Sequence, residues 1–593
     1  MVNREGSTIR SEKLHENRVF LKPRKIALII FLLLITSYLS QIRPVSSGTV
    51  HVPTEYGTIQ EAVDSAAPGD TIQVAPGIYY EHVAVNKSLT IAGANPETTI
   101  VDGTANGTVF DLEGTNIEIY GFTIRNAGNY NAIGSEKEIV TSDNHKIINN
   151  IITTSLYGIY LSSSDYNTIV NNTLISNAFG AIFLTNADNT NITANTIVGG
   201  AYGIRTLSSL NNIIEYNAIS QTSYAIYLSL SSTGNTIRKN VLSGQTVSVY
   251  SNSDGTTIDH NTITEGAYGI YFYDCESGAV YYNTLENNSY GIRIYMSASA
   301  TSSHNIHNNK ILHTDWAIEL VNAHGNTFTG NWIQQNTWGI YMTSSGSNTA
   351  YRNNFVNNTM QAHAGFGTGN AWDKKIPGEG SQGNYWSDYE GEDTDDPPDG
   401  IGNTPYRITP IGYDNYPLMN TWSEHDISIQ SVTLSTNEAY QGEIVNITVT
   451  VKNNANLSVS ETFNVTVKYD QTLIETKTIG NLAQGASETL TFNWNTTEVI
   501  PRNYTISAEA SIVLDELNAD DNFFIDGIMR LRILGDIDGD GYVGSADASI
   551  LNGAYGTSSG NPLYVPEADF DDDGYIGSAD AGVLNGAYGT TYP

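Results

Sequence analysis

Tyr157-Gly158-Ile159-Tyr160-Leu161 is one copy of a short motif that recurs along the middle of the chain. Its central aliphatic residue returns after 23, 22, 22, 23, 21, 22, 26 and 22 residues. A repeat of this length, made of short β-type segments with no helical pattern, predicts a parallel β-solenoid with one turn per repeat. The positions in this series are Ile159, Ile182, Ile204, Ile226, Val249, Ile270, Ile292, Ile318 and Ile340.

A second series has the same period and consists of an asparagine followed two positions later by an aliphatic residue. Both series share an insertion near residues 297–303. We expect the asparagine amides to stack at a bend and to bond from turn to turn. Ten turns at the spacing of neighbouring strands give a rod roughly 45–50 Å long. The series is Asn150, Asn172, Asn195, Asn217, Asn240, Asn261, Asn283, Asn309, Asn331 and Asn354.

Composition excludes several classes of protein. The 593 residues have a net charge of −35, which disfavours nucleic acid because phosphate binding needs clustered Lys and Arg. A single cysteine, Cys275, excludes an internal disulfide framework and a cysteine-based zinc cluster. The abundance of Asn, Thr, Ser, Gly and Tyr is typical of a polar, strand-rich extracellular protein.

The N-terminus predicts export. Residues 26–39 are apolar and follow three basic residues, which is typical of a signal peptide. Small residues at Val45-Ser46-Ser47 offer a cleavage site, and an uncleaved membrane anchor in residues 1–47 is the alternative. Both interpretations place the rest of the chain outside the cell or on its surface, with membrane contact only through this segment.

Several segments flank the repeats at 145–360. An amphipathic segment at residues 59–67 precedes the first turn, and the further motifs are Asn86-Lys87-Ser88-Leu89-Thr90-Ile91, Gly383-Asn384-Tyr385-Trp386-Ser387-Asp388-Tyr389, Gly400-Ile401-Gly402-Asn403-Thr404-Pro405-Tyr406 and Asp414-Asn415-Tyr416-Pro417-Leu418. With these motifs, residues 48–420 resemble NosD-type and pectin-lyase-like proteins. The resemblance implies a right-handed parallel β-helix.

The residue after each repeated aliphatic residue should face solvent, and six of these nine residues are aromatic. Aromatic rings, arginine and hydroxyl groups suit the faces and hydroxyls of a sugar polymer, which predicts an extended polysaccharide ligand. Aromatic stacking that only stabilises the sheet is the alternative. The column is Tyr160, Phe183, Arg205, Tyr227, Tyr250, Tyr271, Arg293, Glu319 and Tyr341, of which all but Glu319 are candidate glycan contacts.

A polysaccharide lyase or glycoside hydrolase is the rival hypothesis. Arg293, Asp315 and Glu319 lie within one turn of one another and are the catalytic candidates, although such residues usually form a surface ion pair. The paired-Asp, Gly-His-Gly and Arg-x-Lys motifs of polygalacturonases are absent. The histidines at positions 260, 307, 313 and 324 share no regular register, which argues against a copper site.

An acidic segment closes the solenoid. Residues 388–399 contain seven acids and no base. In relatives the region resembles an Asp-x-Asp-x-Asp-Gly loop, which Pro397-Pro398 interrupts here. Asp393, Asp395 and Asp399 are therefore candidate calcium ligands, and a solvated acidic loop is the alternative.

Residues 425–532 alternate apolar and polar positions in short runs separated by turn residues, which predicts a β-sandwich. The predicted strands cover residues 427–434, 444–453, 463–469, 488–494 and 504–512. The span, including Asp520-Asp521-Asn522 near its end, resembles a CARDB-type Ig-like domain, which implies a spacer or adhesion role.

Residues 535–593 contain two acidic loops 33 residues apart, with Asp at loop positions 1, 3, 5 and 12 and Gly at position 6. Calcium takes six to eight oxygens around such a turn, so we expect two Ca²⁺ ions, without which the charges would repel. The predicted ligands, through side chains or the tyrosine carbonyl oxygens, are Asp536, Asp538, Asp540, Tyr542, Asp547, Asp569, Asp571, Asp573, Tyr575 and Asp580.

The duplicated loop followed by a short helix resembles a type I dockerin, which implies a cohesin-type partner. Ser545, Ala546, Ser578 and Ala579 occupy the positions that usually set cohesin choice. The helices lack Lys and Arg, so docking onto the neighbouring sandwich is an alternative. Overall the sequence predicts a mainly β protein: a right-handed parallel β-helix, an Ig-like β-sandwich and a small α-helical, EF-hand-like calcium-loop pair.

Overall fold

The computed structural model describes residues 48–134, 143–377 and 380–591. The signal peptide or anchor predicted for residues 1–47 lies outside this part of the chain. Within it, a β-solenoid precedes a β-sandwich and a small helical module, which confirms the mainly β architecture.

The solenoid has three parallel faces, each built from fourteen strands among the described residues. Two long strands run through the corner between faces 2 and 3 and belong to both. Face 1 contains Thr49–Val52, Thr71–Val74, Thr90–Gly93, Glu118–Tyr120, Lys146–Ile148, Thr168–Val170, Asn191–Thr193, Ile213–Glu215, Thr236–Arg238, Thr257–Asp259, Ala279–Tyr281, Asn305–His307, Thr327–Thr329 and Thr349–Tyr351.

Faces 2 and 3 follow face 1 in each turn. Face 2 contains Gly77–Tyr79, Thr99–Asp102, Thr123–Gly134, Ile151–Ser162, Thr173–Ile175, Thr196–Val198, Ala218–Ser220, Val241–Ser243, Thr262–Thr264, Thr284–Glu286, Lys310–Leu312, Trp332–Gln334, Asn354–Val356 and Tyr385–Trp386. Face 3 contains Val83–Val85, Phe110–Leu112, Thr123–Gly134, Ile151–Ser162, Gly180–Thr185, Tyr202–Leu207, Tyr224–Ser229, Val247–Ser251, Tyr268–Tyr273, Tyr290–Thr301, Trp316–His324, Trp338–Thr343, Met360–Gly365 and Thr409–Pro410. Further short strands are Lys374–Ile376, Gly380–Gln382, Tyr406–Arg407 and Tyr413–Asp414.

The repeated aliphatic residues form the core of the rod. All nine residues of the series are fully buried, and each pairs with the next in the face 3 ladder. The prediction that the motif marks one inward position per turn is therefore confirmed. Because alternate residues of a strand point to opposite sides, the residue that follows each of them lies on the outside.

The asparagine series forms a continuous buried ladder between faces 1 and 2. At Asn240, the amide nitrogen donates to the carbonyl oxygens of Ile214 and Arg238 and to Oδ1 of Asn261, at 2.9, 3.0 and 3.0 Å. Its Oδ1 accepts from the backbone N–H of Asn217 at 2.9 Å. The ladder thus satisfies backbone groups that the bend leaves without strand partners.

One member of the predicted series was wrong. The ladder passes from Asn331 to Asn353 and on to Asn384, with Asn353 at hydrogen-bond distance from both. Asn354 instead begins a face 2 strand and binds the backbone of Trp422. The rule of an aliphatic residue two positions later selects Asn354, which precedes Val356. Asn353 precedes the buried Phe355 and is the residue that points into the bend.

Each end of the rod is covered. The helix Ile59–Ser65 packs Ile59, Ala62 and Val63 into the first turns. At the other end Trp386 stacks on Phe355, with ring centroids 4.3 Å apart, and its Nε1 donates to Asp414. Asp414 also accepts the backbone N–H of the last ladder residue, Asn384, and burial raises the pKa of its carboxyl to about 6.

The sandwich consists of two sheets around one core. The structure adds two long strands that the sequence did not predict, because Thr472–Ala483 is largely exposed and Phe523–Arg532 alternates weakly. One sheet contains Ile427–Leu434, Ile444–Asn453 and Ser487–Asn495, and the other contains Glu438–Tyr440, Phe523–Arg532, Asn503–Ala510, Ser460–Tyr469 and Thr472–Ala483.

The sandwich packs against the side of the rod. Glu424 accepts hydrogen bonds from Tyr282 Oη at 2.8 Å and from Asn308 Nδ2 at 2.9 Å. His260 Nε2 lies 2.8 Å from Asp515 Oδ1. These contacts join two segments of the sandwich, around residues 424 and 515, to the face 1 side of the rod.

The C-terminal module contains the helices Ser545–Ala554 and Ser578–Ala587 and the 3₁₀-helix Pro566–Ala568. The two halves exchange backbone hydrogen bonds. Val543 N–H donates to Thr590 at 2.9 Å, and Ile576 N–H donates to Thr557 at 3.0 Å. Arg532 connects the module to the sandwich, because it binds Glu438 on one side and the carbonyl oxygen of Asp536 on the other.

The ladder predicts a large effect for a small substitution. Asn240→Ala removes the amide and leaves the buried N–H of Asn217 without its acceptor, which should lower the free energy of unfolding by about 3 kcal/mol. Asn305→Ala, at an exposed position of a face 1 strand, is the matched control and should change it by under about 0.5 kcal/mol. Urea unfolding of both variants measures the difference, and equal stabilities would contradict a structural role for the ladder.

Candidate ligand-binding face and metal loops

The outward residues of face 3 form a continuous column. From Tyr160 to Tyr341, each of the nine residues is the direct cross-strand partner of the next. Phe183 and Glu319 are buried, and the other seven are partly exposed. The structure therefore brings the predicted glycan contacts together on one surface, and their role stays a prediction.

A second column runs beside the first, and the sequence analysis missed it. It lies three positions earlier in each strand, on the same face of the rod as its neighbour. The sequence feature that marks this second column is the first tyrosine of the repeated Tyr-Gly-Ile-Tyr-Leu motif. The aromatic members are Tyr157, Tyr202, Tyr224, Tyr268, Tyr290, Trp316 and Trp338.

Neighbouring rings stack along each of the two columns. Tyr227 and Tyr250 are nearly parallel, at 7°, with centroids 4.5 Å apart. Trp316 and Trp338 are also parallel at 7°, with centroids 5.3 Å apart. Stacking of this kind stabilises the sheet and covers much of each ring face. A ligand on this surface would therefore meet ring edges and phenol hydroxyls more than open faces.

Three phenols of the first column stay neutral. Burial raises the pKa of Tyr227, Tyr250 and Tyr271 above the ordinary value for tyrosine. A neutral phenol both donates and accepts a hydrogen bond, which is the pairing that sugar hydroxyls require.

Arg205 is enclosed by aromatic rings. Its guanidinium carbon lies 4.7 Å from the centroid of the Tyr202 ring, 5.1 Å from that of Phe183 and 5.3 Å from that of Tyr227. Its Nε is buried without a hydrogen-bond partner, and within the described ranges Arg205 forms no ion pair. The cation–π contacts are thus its main stabilisation.

Two of the catalytic candidates neutralise each other. Arg293 Nε lies 2.7 Å from Glu319 Oε2, although the N–H is not directed at the oxygen well enough to count as a hydrogen bond. Burial raises the pKa of Glu319, and the charge of Arg293 opposes that shift. Asp315, the third candidate, is exposed. This arrangement matches an ion pair inside an aromatic surface.

The acidic segment gathers its three predicted ligands. One carboxylate oxygen each of Asp393, Asp395 and Asp399 lies within 4.8 Å of the others. Their oxygens accept backbone hydrogen bonds, including Gly400 N–H to Asp393 at 2.7 Å and Ile401 N–H to Asp399 at 2.9 Å. The carboxylates of this acidic loop therefore already accept hydrogen bonds from the backbone of the same loop.

The two tail loops are folded alike, and each is tightened at a glycine with positive φ, Gly541 at 86° and Gly574 at 79°. Of the predicted ligands, carboxylate oxygens of Asp536, Asp538 and Asp540 lie within 4.8 Å of one another. In the second loop the corresponding group is Asp569, Asp571 and Asp580.

Two predicted carboxylate ligands and the two tyrosines lie outside these groups. Asp547 uses one oxygen to accept the N–H groups of Ile537 and Asp538, at 2.7 and 3.1 Å, and the other for Gly544. Asp573 accepts the N–H of Tyr575 at 2.7 Å. Tyr542 and Tyr575 are both exposed, so only their carbonyl oxygens are candidate ligands.

The first carboxylate of each loop has an oxygen with no partner. Asp536 is 1% exposed and Asp569 is 6% exposed, and Oδ1 of each is buried without a hydrogen bond. Burial raises the pKa of Asp536. An unpaired buried carboxylate oxygen is costly, and a divalent cation in the loop would remove that cost. The residues present therefore fit a calcium ion in each loop.

The predicted partner-binding residues are accessible. Ser545 and Ala546 form the start of one helix, and Ser578 and Ala579 the start of the other. All four are exposed.

Models of known families match the solenoid and the sandwich. The family described as right-handed β-helix region matches residues 100–254 and 137–305, and the family described as periplasmic copper-binding protein (NosD) matches residues 249–391. The CARDB family matches residues 424–525. Part of the solenoid thus matches a right-handed β-helix family, and the sandwich matches the CARDB family. No curated protein matches the chain.

Several solved structures are similar in part. The CARDB domain of the Pyrococcus furiosus protein PF1109, in complex with di-metal ions, is 24% identical and covers 19% of this chain and 92% of its own, with a TM-score of 0.16. A family 28 exopolygalacturonase from Yersinia enterocolitica is 10% identical over 55% of this chain and 78% of its own, with a TM-score of 0.37. The A-module of an Azotobacter vinelandii mannuronan C-5 epimerase is 15% identical over 52% and 93%, with a TM-score of 0.35. Values this low carry no activity over to this chain.

The described residues were also compared with the requirements of a copper site and of a membrane-spanning helix. Each candidate metal group found among them consists of aspartates alone, and the four histidines considered for copper do not take part. No helix in the described ranges is long and apolar enough to span a membrane.

The Arg293–Glu319 pair yields a stability prediction. Arg293→Leu leaves a buried carboxylate without its counter-ion and should cost about 3 kcal/mol at pH 7. Because protonated Glu319 carries no charge, this loss should shrink as the pH falls towards 5. The double variant with Glu319→Leu should recover most of the stability, and urea unfolding at both pH values measures all three. A loss that the second substitution does not recover would contradict the ion-pair assignment.

Proposed function

We propose that this chain is an exported, carbohydrate-associated protein whose β-helix binds an extended polysaccharide along face 3. The observation that carries the proposal is the pair of adjacent aromatic columns running along the rod. At about 4.8 Å per turn, the column from Tyr160 to Tyr341 is roughly 38 Å long. A surface this long and repetitive fits a linear polymer better than a small molecule.

The chemistry of the surface supports the same ligand class. Neutral phenol hydroxyls pair with sugar hydroxyls, and ring edges pack against the apolar parts of a sugar. The rings are held in place by stacking before a ligand arrives, so binding costs little side-chain entropy. The net charge of −35 disfavours strongly acidic polymers as general ligands.

A glycan array probed with the whole chain tests this proposal. Tyr227→Phe and Tyr250→Phe keep the stack but remove a hydroxyl each, and together they should weaken binding about tenfold or more. Tyr216→Phe, at a tyrosine that is 53% exposed and outside both columns, is the matched control and should bind like the wild type. Unchanged retention of every glycan by the double variant would overturn the proposal.

A lyase or hydrolase is the second candidate function, and the buried Glu319 with its raised pKa is the observation that favours it. Product release from a retained glycan, measured as new reducing ends or unsaturated sugar, decides between the two. Loss of release in Glu319→Gln would support the enzyme, and retention without release supports the binding protein.

We also propose that the tail module binds two Ca²⁺ ions and attaches the chain to a cohesin-type domain. The unpaired oxygens of Asp536 and Asp569 support the metal. Calcium supplies positive charge at the centre of each acidic loop. The loop carboxylates hold the start of each helix, where the exposed pairs Ser545, Ala546 and Ser578, Ala579 would contact the partner.

Substitutions in the second loop separate chelation from general acidity. Asp571→Asn alters a residue of the aspartate group, whereas Asp572→Asn alters its exposed neighbour outside that group. We expect the first to remove about one bound ion per chain in isothermal titration calorimetry and the second to remove none. A cohesin pull-down should be lost in EDTA. Equal ion uptake by both variants would contradict the loop assignment.

A further inference from the structure

The end of the sandwich nearest the rod contains a cluster of carboxyl and amide groups outside the sites described so far. Asp426 directly precedes the strand Ile427–Leu434, and Asp521 and Asn522 directly precede the strand Phe523–Arg532. The two segments are adjacent, because Ile429 N–H donates to the carbonyl oxygen of Asp521 at 2.9 Å.

Three oxygens of this cluster have no partner. Oδ1 of Asp426, of Asp521 and of Asn522 are all buried without a hydrogen bond. Asp426 is 8% exposed and Asn522 is 3% exposed. Burying an unpaired polar oxygen is costly, and three on two neighbouring segments require a compensating positive group.

Neighbouring Glu516 differs, since both of its oxygens are satisfied. They accept the backbone N–H groups of Ile427 and Val513, at 2.8 and 2.9 Å, and the Nδ2 of Asn522 at 3.0 Å. This last bond fixes the amide of Asn522 so that its nitrogen faces Glu516. The amide oxygen is left as a fixed acceptor with no donor.

The charge balance of the cluster is also incomplete. Burial, together with the charges of Asp521 and Glu516, raises the pKa of Asp426 to about 8. Lys452 opposes the shift but forms no ion pair with these acids within the described part of the chain. Among the described residues, these three acids therefore have no counter-ion in direct contact with them.

We propose that Asp426, Asp521 and Asn522 bind a divalent cation in the sandwich. The donors are all oxygens, two carboxylates and one amide, which is the ligand set of a hard ion such as Ca²⁺. Water would complete the coordination. This site is separate from the tail loops and does not depend on the function proposed for them.

The position of the site gives the ion a structural role. Asp426 lies two residues after Glu424, and Asp521 lies in the same connection as Asp515. Glu424 and Asp515 are the residues that bind Tyr282 and His260 of the rod. A cation between the two segments would therefore hold both contacts in place and stiffen the joint between rod and sandwich.

Calcium titration of the whole chain, after removal of metal with EDTA, tests the proposal. The isosteric variants Asp426→Asn and Asp521→Asn should each take up one ion fewer than the wild type. Asp520→Asn, at the exposed neighbour, should take up the same number as the wild type. In calorimetric unfolding, calcium should raise the sandwich transition of the wild type and leave that of Asp426→Asn unchanged.

The two calcium proposals fail independently. Asp571→Asn removes an ion from the tail and leaves the ion at Asp426, so each loss is assigned by its own variant. Equal ion uptake by the wild type and both sandwich variants would overturn the inference. So would a wild-type sandwich transition that calcium does not move, with a higher transition for Asp426→Asn in EDTA, because the cluster would then hold only a protonated carboxyl group.

Discussion

The rod depends on a carboxamide that donates and accepts at the same bend in successive turns. A bend interrupts strand pairing and leaves an N–H and a carbonyl oxygen without partners in a place that water does not reach. An asparagine side chain supplies both missing groups, and its own amide binds the next asparagine. The chain therefore returns to the same point after every turn, which sets the period of about 22 residues that the sequence displays.

The aromatic surface follows from that constraint. Once each turn is in register with the next, identical positions are one strand spacing apart, close to the distance at which rings stack. A tyrosine at one position of the repeat then forms a column of stacked rings, and no additional contact is needed to align them. The exceptions, Arg205 and the Arg293–Glu319 pair, interrupt the rings with charge and make the surface differ along its length.

The period made most of the fold predictable from sequence. The solenoid, its inward residues and one outward column all follow from spacing alone. The second column was missed because only one outward residue per strand was considered, although two positions of each repeat face the same way. Choosing Asn354 over Asn353 shows the limit, since the rule required an aliphatic inward residue and the inward residue of that turn is Phe355.

The sites were predictable to different degrees. Ligand spacing revealed the tail loops, because chelation demands residues at fixed intervals. The cluster of Asp426, Asp521 and Asn522 has no such interval, since its members are almost a hundred residues apart. They meet only where the connection before Phe523–Arg532 passes the strand Ile427–Leu434. Likewise, the Arg293–Glu319 contact follows from register, but its enclosure by four rings becomes visible only when side chains are placed.

The covers at the two ends of the rod have a consequence for assembly. A stack of parallel strands grows by adding another chain to its open edge, in the way that fibres do. Here a helix occupies one edge, while stacked tryptophan and tyrosine rings and Asp414 occupy the other. The rod therefore has a fixed length and does not extend end to end. Any higher-order assembly has to form through lateral contacts of the rod or through the two C-terminal modules.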